Sequence, residues 1–197
     1  MTTSSYLTYH NYLKREGLLG SFYRRIVLYP FLRILLGPVF LDVGCGIGIF
    51  LSYGRRGRSI GLDINPCNVE YVNSIGLDAR LINPLEDFPV VEGSFPSCII
   101  DQVLEHVIDP VYLISQSYKS LSPGGQLIVG LPCEKGFLAD PDHKVFYSAD
   151  SIVTLVTSCT DLVHIRSFFF PVNLRFVGRF LSANYLYVIF RKPTPIY

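Results

Sequence analysis

The chain has 197 residues, 49% of them hydrophobic and only 17% charged, with a mean hydropathy of +0.35. That excludes a disordered tail, which needs low hydrophobicity and high charge, and the length suits one domain or a domain with a small appendage. Lys plus Arg number 17 against 16 Asp plus Glu, a formal +1, which argues against a protein dedicated to coating nucleic acid.

Residues 6 to 36 read as helical with breaks. Tyr9, Tyr12 and Leu13, then Leu18, Leu19, Phe22, Tyr23, Ile26 and Val27, recur near helical spacing. Gly17, Gly20 and Pro30 imply more than one short helix. The longest apolar stretch, Ile26 to Leu41, has 16 residues and is broken by Pro30, Arg33, Gly37 and Pro38. A spanning helix needs about 20 apolar residues, so no transmembrane segment is expected. No signal peptide is expected either, because an early basic patch followed by an apolar run is lacking. The five cysteines (Cys45, Cys67, Cys98, Cys133 and Cys159) are odd in number and widely spaced. They favour neither a disulfide framework nor a zinc site and point to a reducing, cytoplasmic setting.

From Val39 the pattern changes. VFLDVG reads as a buried strand and IGIFLSYGRR as a helix. RSIGLDIN is a second strand, PCNVEYVNSIG a helix with Pro66 near its start, and ARLIN a third strand. PSCIIDQ is a fourth, followed by VLEHVID and a helix, PVYLISQSYKSL. SPGG reads as a turn and QLIVGLP as a fifth strand. Next come a polar, irregular insert, CEKGFLADPDHKVFYS, and a helix starting near Ser148 or Asp150. LVHIRSFFF and NYLYVIFRK are late strands rich in β-branched and aromatic residues. The alternation predicts an α/β fold, a Rossmann-like doubly wound sheet. Its strands would be mostly parallel, with an antiparallel late strand at one edge and helices at the N-terminus. The expected division is a helical segment, 1–38, packing on a domain formed by 39–197.

The sharpest motif is Asp42-Val43-Gly44-Cys45-Gly46-Ile47-Gly48, between a strand and a predicted helix. Glycines there allow tight turning and close approach of a ligand, and a helix N-terminus offers free N–H groups. A dinucleotide fingerprint would put its third glycine at position 49. Here position 49 is Ile, which weakens the reading as a nicotinamide-linked oxidoreductase. Asp63 ends the next strand, 19 residues after Gly44, where an acid can accept hydrogen bonds from ribose hydroxyls.

At this point the chain resembles the class I S-adenosylmethionine-dependent methyltransferases, in particular their small-molecule and sugar branch. The resemblance rests on FLDVGCGIG, SIGLDINP, PLEDFPVVEGSFPSCIIDQVLEHVIDP and LSPGGQLIVGLP, in the family's order and spacing. It implies S-adenosylmethionine as cofactor. Gly44, Cys45, Gly46 and Gly48 would flank its methionine part, with Asp42 near the amino group. Asp63 would hold the ribose and Ile64 would pack on the adenine. Pro84, Leu85 and Glu86 would lie near the adenine edge, although many relatives carry Asp or Asn where Pro84 stands. Asp101 and Gln102 would approach the methionine moiety, and His106 would face the active-site mouth.

A hydroxyl acceptor needs a base to take its proton during attack. His143, in the insert after the fifth strand, is the first candidate and His106 the second; the alternatives are a loop anchor and a packing histidine. No metal is expected. Asp101-Gln102-Val103-Leu104 stands where base-modifying relatives carry an Asn/Asp-Pro-Pro-aromatic motif, which argues against nucleic-acid bases. The implied activity is methyl transfer, on oxygen, to a small or carbohydrate/lipid-linked acceptor. The alternative is a non-catalytic cofactor-binding module. Charge is unevenly spread: residues 1–37 carry +4, 164–197 carry +5 and 38–163 carry −8. Basic ends beside Phe168, Phe169, Phe170 and Tyr187 would suit an anionic acceptor or peripheral membrane contact, unless the arginines pair with the acidic middle.

Overall fold

The computed structural model describes residues 3–15, 22–84 and 86–195, with side chains of all these except residues 3–5, 12, 14 and 15. Gly17, Gly20 and the side chain of Tyr12 therefore lie outside the described residues. The chain divides into two compact units, residues 1–89 and 90–197.

The first unit opens with helix α1 (Thr3–Arg15). A later helical stretch contains a π turn (Arg24–Leu28) running into α2 (Tyr29–Leu36). Pro30 does not break it. The proline sits in the first turn of α2, where its missing N–H is tolerated, and the Tyr29 N–H reaches back five residues to Arg24. Strands β1 (Leu41–Val43), β2 (Ile60–Asp63) and β3 (Ala79–Leu81) pair in parallel, β2 in the middle. Helix α3 (Pro66–Ser74) joins β2 to β3 and is capped by Asn65, whose side chain accepts from the Cys67 N–H at 3.0 Å. The core of this unit gathers Leu32, Leu36, Phe40, Leu41, Phe50 and Leu62. The Phe40 and Phe50 rings stack at 5.0 Å.

The predicted helix over IGIFLSYGRR does not form. The chain turns from Gly44 to Phe50 and makes only a 3₁₀ turn, Leu51–Tyr53. Gly44, Gly46 and Gly48 all have positive φ (80°, 54° and 76°), and a backbone that visits the left-handed region at alternate residues cannot hold an α-helix.

The second unit carries β4 (Phe95–Asp101), α4 (Val111–Ser120), β5 (Leu121–Pro132), α5 (Glu134–Ala139), α6 (Ala149–Cys159), β6 (Val163–Phe170) and β7 (Tyr185–Arg191). β4 and β5 are parallel. Cys98, Ile99, Ile100, Leu127, Ile128 and Val129 are all buried, as expected for continuous apolar runs covered on both faces. The predicted SPGG turn appears as an excursion within β5, between the pairs Phe95–Leu121 and Ser97–Gln126. The late strands form the expected antiparallel pair, and β7, the strand that runs opposite, lies between β5 and β6. α6 starts at a capping box in which Ser148 and Ser151 serve each other's backbone, a reciprocal arrangement that satisfies two N–H groups. The polar insert holds a short helix, α5, that its sequence did not suggest. None of the described helices is long and apolar enough to cross a membrane.

β2 must pass close to the glycine turn. A Cβ at Gly61 would lie 2.6 Å from Cys45 Sγ and 2.8 Å from Leu51 Cδ2. Neither neighbour can retreat from a packed interior without strain, so Gly61→Ala is expected to destabilise the chain by about 1–3 kcal/mol. Denaturant unfolding measures this, and an unchanged midpoint would mean the turn is freely displaced.

Candidate functional site

In the first unit the site residues are drawn together by one carboxylate. Asp63, at the carboxyl end of β2, is buried. Its Oδ2 accepts the Gly46 N–H at 2.8 Å and its Oδ1 the Asn65 N–H at 2.7 Å. Asn68 Nδ2 lies 3.4 Å from Oδ2. Burial pushes the Asp63 pKa up, while the two amides hold it back. Each oxygen has two lone pairs, so the carboxylate that closes the glycine turn can still accept from a ligand. Asp42, within β1, is buried nearby in sequence, one residue pair from the turn. Cys45 is buried, and burial raises its thiol well above the ordinary range, so it is no nucleophile. Ile64 is 44% exposed. Pro84 and Glu86 are exposed, and Glu86 Oε1 accepts from Asn83 Nδ2 at 2.8 Å. Leu85 lies outside the described residues.

α1 is tied to this same group. Asn65 Nδ2 donates to the Tyr6 carbonyl at 2.9 Å, and His10 Nδ1 is 2.8 Å from Asn68 Oδ1. The Leu13 side chain stands 3.4 Å from where a Cβ on Gly46 would be. Tyr9 and Phe22, two of the helically spaced aromatic residues, are largely exposed. Asn65, Asn68 and His10 were not singled out from the sequence. The one available signal was Asn65-Pro66 at a helix start.

In the second unit, Asp101 ends β4 opposite Gly130 of β5. A Cβ at Gly130 would collide with the Asp101 carboxylate and the Tyr187 ring, so a glycine is required there. Gln102 follows with φ 56°, the one non-glycine residue with positive φ among the described residues. Its N–H is held by the Gly130 carbonyl at 2.9 Å. Strain of this kind persists only where the surroundings impose it.

The structure brings both candidate histidines together, and adds a carboxylate the sequence reading passed over. His106 and His143 have ring centroids 4.7 Å apart. Glu105, on the 3₁₀ turn Leu104–His106, is 1% exposed. His143 Nε2 lies 3.8 Å from Glu105 Oε1 and 3.9 Å from Asp140 Oδ2. His143 Nδ1 meets the Phe137 carbonyl at 2.8 Å, which leaves Nε2 as the basic nitrogen. His106 Nδ1 lies 3.3 Å from the Asp142 carbonyl, and burial lowers the His106 pKa. Neither Glu105 oxygen takes a hydrogen bond among the described residues. Burial pushes the Glu105 pKa up to about 8. An adjoining Glu-His pair just after a buried strand was the only trace of this cluster in the sequence.

Comparison with known proteins bears on these two groups. A family model described as a methyltransferase domain matches residues 41–129. A ubiquinone biosynthesis O-methyltransferase of Xanthomonas oryzae pv. oryzae is 33% identical over 103 residues, 48% of this chain and 43% of that protein. An uncharacterised 37.1 kDa protein in a transposon of Streptomyces fradiae is 32% identical over 120 residues, 55% of this chain and 34% of that protein. The chain thus matches less than half the length of these curated relatives. Among solved structures, a SAM-dependent methyltransferase of Archaeoglobus fulgidus matches 89% of this chain and 100% of its own, with TM-score 0.65 and 18% identity. One of Thermotoga maritima, described as a possible histamine N-methyltransferase, matches 92% of this chain and 95% of its own, with TM-score 0.70 and 17% identity. At such identities the likeness is one of fold.

The raised Glu105 pKa has a definite consequence for stability. Folded, Glu105 keeps its proton up to about pH 8, whereas its ordinary value is 4.5. The folded state therefore binds more protons than the unfolded state between these limits, and stability falls as pH rises through them. In EDTA-containing buffer, the melting temperature of Glu105→Gln minus that of the native chain should grow from pH 4.5 to pH 8 and then level. A flat difference would show that Glu105 is ionised throughout.

Proposed function

We propose that the chain is a class I S-adenosylmethionine-dependent methyltransferase, on the methyltransferase-domain match over residues 41–129 and the likeness of fold, and that it binds S-adenosylmethionine and transfers its methyl group to an oxygen of a small acceptor. The observation that carries this reading is the turn of three left-handed glycines closed onto the Asp63 carboxylate. Asp42, Gly44, Cys45, Gly46, Gly48, Asp63, Ile64, Pro84, Leu85, Glu86, Asp101 and Gln102 are the proposed cofactor residues, by the family resemblance. Residues 39–197 would form the methyltransferase domain and 1–38 a helical segment on it.

The sulfonium methyl is electrophilic, so the protein must align the acceptor in line with the C–S bond and exclude water. The acceptor O–H gives its proton to His143 Nε2, with His106 as the second candidate. When bound, S-adenosylmethionine would supply the electrophilic methyl group that this oxygen takes, with neutral S-adenosylhomocysteine as the other product. The free Nε2 of His143 and the carboxylates beside it support this role. Oxygen as the target is supported by the ubiquinone biosynthesis O-methyltransferases among the relatives, while a small or carbohydrate/lipid-linked acceptor rests on the family resemblance alone. The cytoplasm is the proposed location, on the odd and scattered cysteines. A cofactor-binding module without catalysis is the second reading, because the Asp63 group would serve binding alone.

Calorimetric titration with S-adenosylmethionine, followed by a methyl-transfer assay on phenolic and sugar hydroxyls, tests both readings. Asp63→Ala should weaken cofactor binding at least ~tenfold, since charge-assisted hydrogen bonds contribute about 1.5–3 kcal/mol each. Unchanged affinity would remove Asp63 from the site. His143→Ala should bind cofactor normally and lose roughly 10²–10⁴ in turnover, while normal turnover would exclude it as the base.

A further inference from the structure

Glu105, His106 and His143 each present one donor atom, and these three atoms lie within 4.8 Å of one another. Each imidazole has its Nδ1 against a backbone carbonyl, of Phe137 and of Asp142. That contact fixes the tautomer and leaves Nε2 with its lone pair. Metal-bound histidines are oriented in this way, by a hydrogen bond from the nitrogen that does not ligate. The third donor is a carboxylate buried to 1% exposure whose two oxygens take no hydrogen bond among the described residues. Asp140 Oδ2 stands 3.9 Å from His143 Nε2.

Electron-pair donors pointed at one another repel, and a carboxylate out of water costs much free energy unless a positive charge compensates it. A single shared proton lies along one donor–acceptor line. It cannot serve three donor atoms at once. A metal ion can, and two imidazoles with one carboxylate suit a first-row transition ion rather than magnesium or calcium. Bonds of about 2.0–2.2 Å in a tetrahedral site put ligand atoms roughly 3.4 Å apart. The His143–Glu105 separation of 3.8 Å needs a contraction of a few tenths of an ångström, and a pair at the 4.8 Å limit of the cluster needs the side chains to close by more than about one ångström.

We propose that Glu105, His106 and His143 form a binding site for one divalent transition-metal ion, with Asp140 or water completing its coordination. Binding does not depend on the methyl-transfer reading; the use of the ion does. If methyl transfer is the reaction, a hydroxyl on the ion would be acidified by coordination, its proton passing to solvent, and the imidazole of His143 would ligate rather than act as base.

The test is calorimetric titration of the chelator-stripped, dialysed full chain with Zn²⁺, with Co²⁺ absorption as a report on coordination geometry. One equivalent should bind, and the cobalt form should show the visible bands of a four- or five-coordinate ion. Glu105→Gln and His106→Ala, each with an unaltered far-UV circular dichroism spectrum, should weaken binding at least ~tenfold, the lower end of losses seen even for residues behind metal ligands. Because Glu105→Gln keeps the volume of the buried acid, it separates loss of a ligand from loss of the fold. Absence of stoichiometric binding, or equal binding by native chain and both variants, would overturn the site. A parallel titration with S-adenosylmethionine keeps the two readings apart. Zinc binding without cofactor binding would sustain this site and overturn only the proposed reaction.

Discussion

An ionised carboxylate loses its hydration when it is buried, and hydrogen-bond donors or a cation must replace it. Glu105 escapes that requirement up to about pH 8 by keeping its proton. No donor reaches its side chain among the described residues, yet its own carbonyl is well served, accepting the Lys144 N–H at 2.7 Å and the Val145 N–H at 3.1 Å. The backbone thus holds the acid in place while the side chain is left to the two histidines. The insert after β5, the 3₁₀ turn after β4 and the tautomers of His106 and His143 are all arranged around that carboxylate.

Asp63 in the first unit solves the same problem in the opposite way. Its two oxygens are engaged by the Gly46 and Asn65 amides, with the Asn68 side chain beside them. One buried acid organises a loop by accepting from it. The other is organised by a loop and holds its charge, or its proton, in reserve. Burial raises the pKa of both acids, and at Asp63 the hydrogen bonds from its neighbours oppose that rise.

Most of the strands were legible because their apolar runs are long, β-branched and buried on both faces. The glycine turn and Asp63 were legible because each depends on local spacing. The helix expected after the turn was misread from the apolar residues Ile47, Ile49, Phe50 and Leu51. Only Phe50 and Leu51 of these are buried, and the left-handed glycines override the helical spacing. α5 escaped notice because EKGFLA has a central glycine and too few apolar residues to show a period. Glu105 was hidden for a deeper reason. Its burial and its lack of donors are set by residues 140–145, some forty positions away in the sequence, and no local pattern encodes such an encounter. His106 and His143 were each found as candidates, but their adjacency belongs to the fold.

The contacts that pin the insert to the 3₁₀ turn also bear on how this protein can change. Lys144 and Val145 bond the Glu105 carbonyl, and the Asp142 carbonyl faces the His106 ring. The two segments are therefore one structural joint, though separated in the sequence. Grafting the insert from a relative to alter specificity would carry over half of a joint, and the partner turn would have to travel with it. Recombination that cuts between residues 107 and 139 should yield chimaeras that fold but have no working cluster, whereas exchanges that keep both segments from one parent should preserve it.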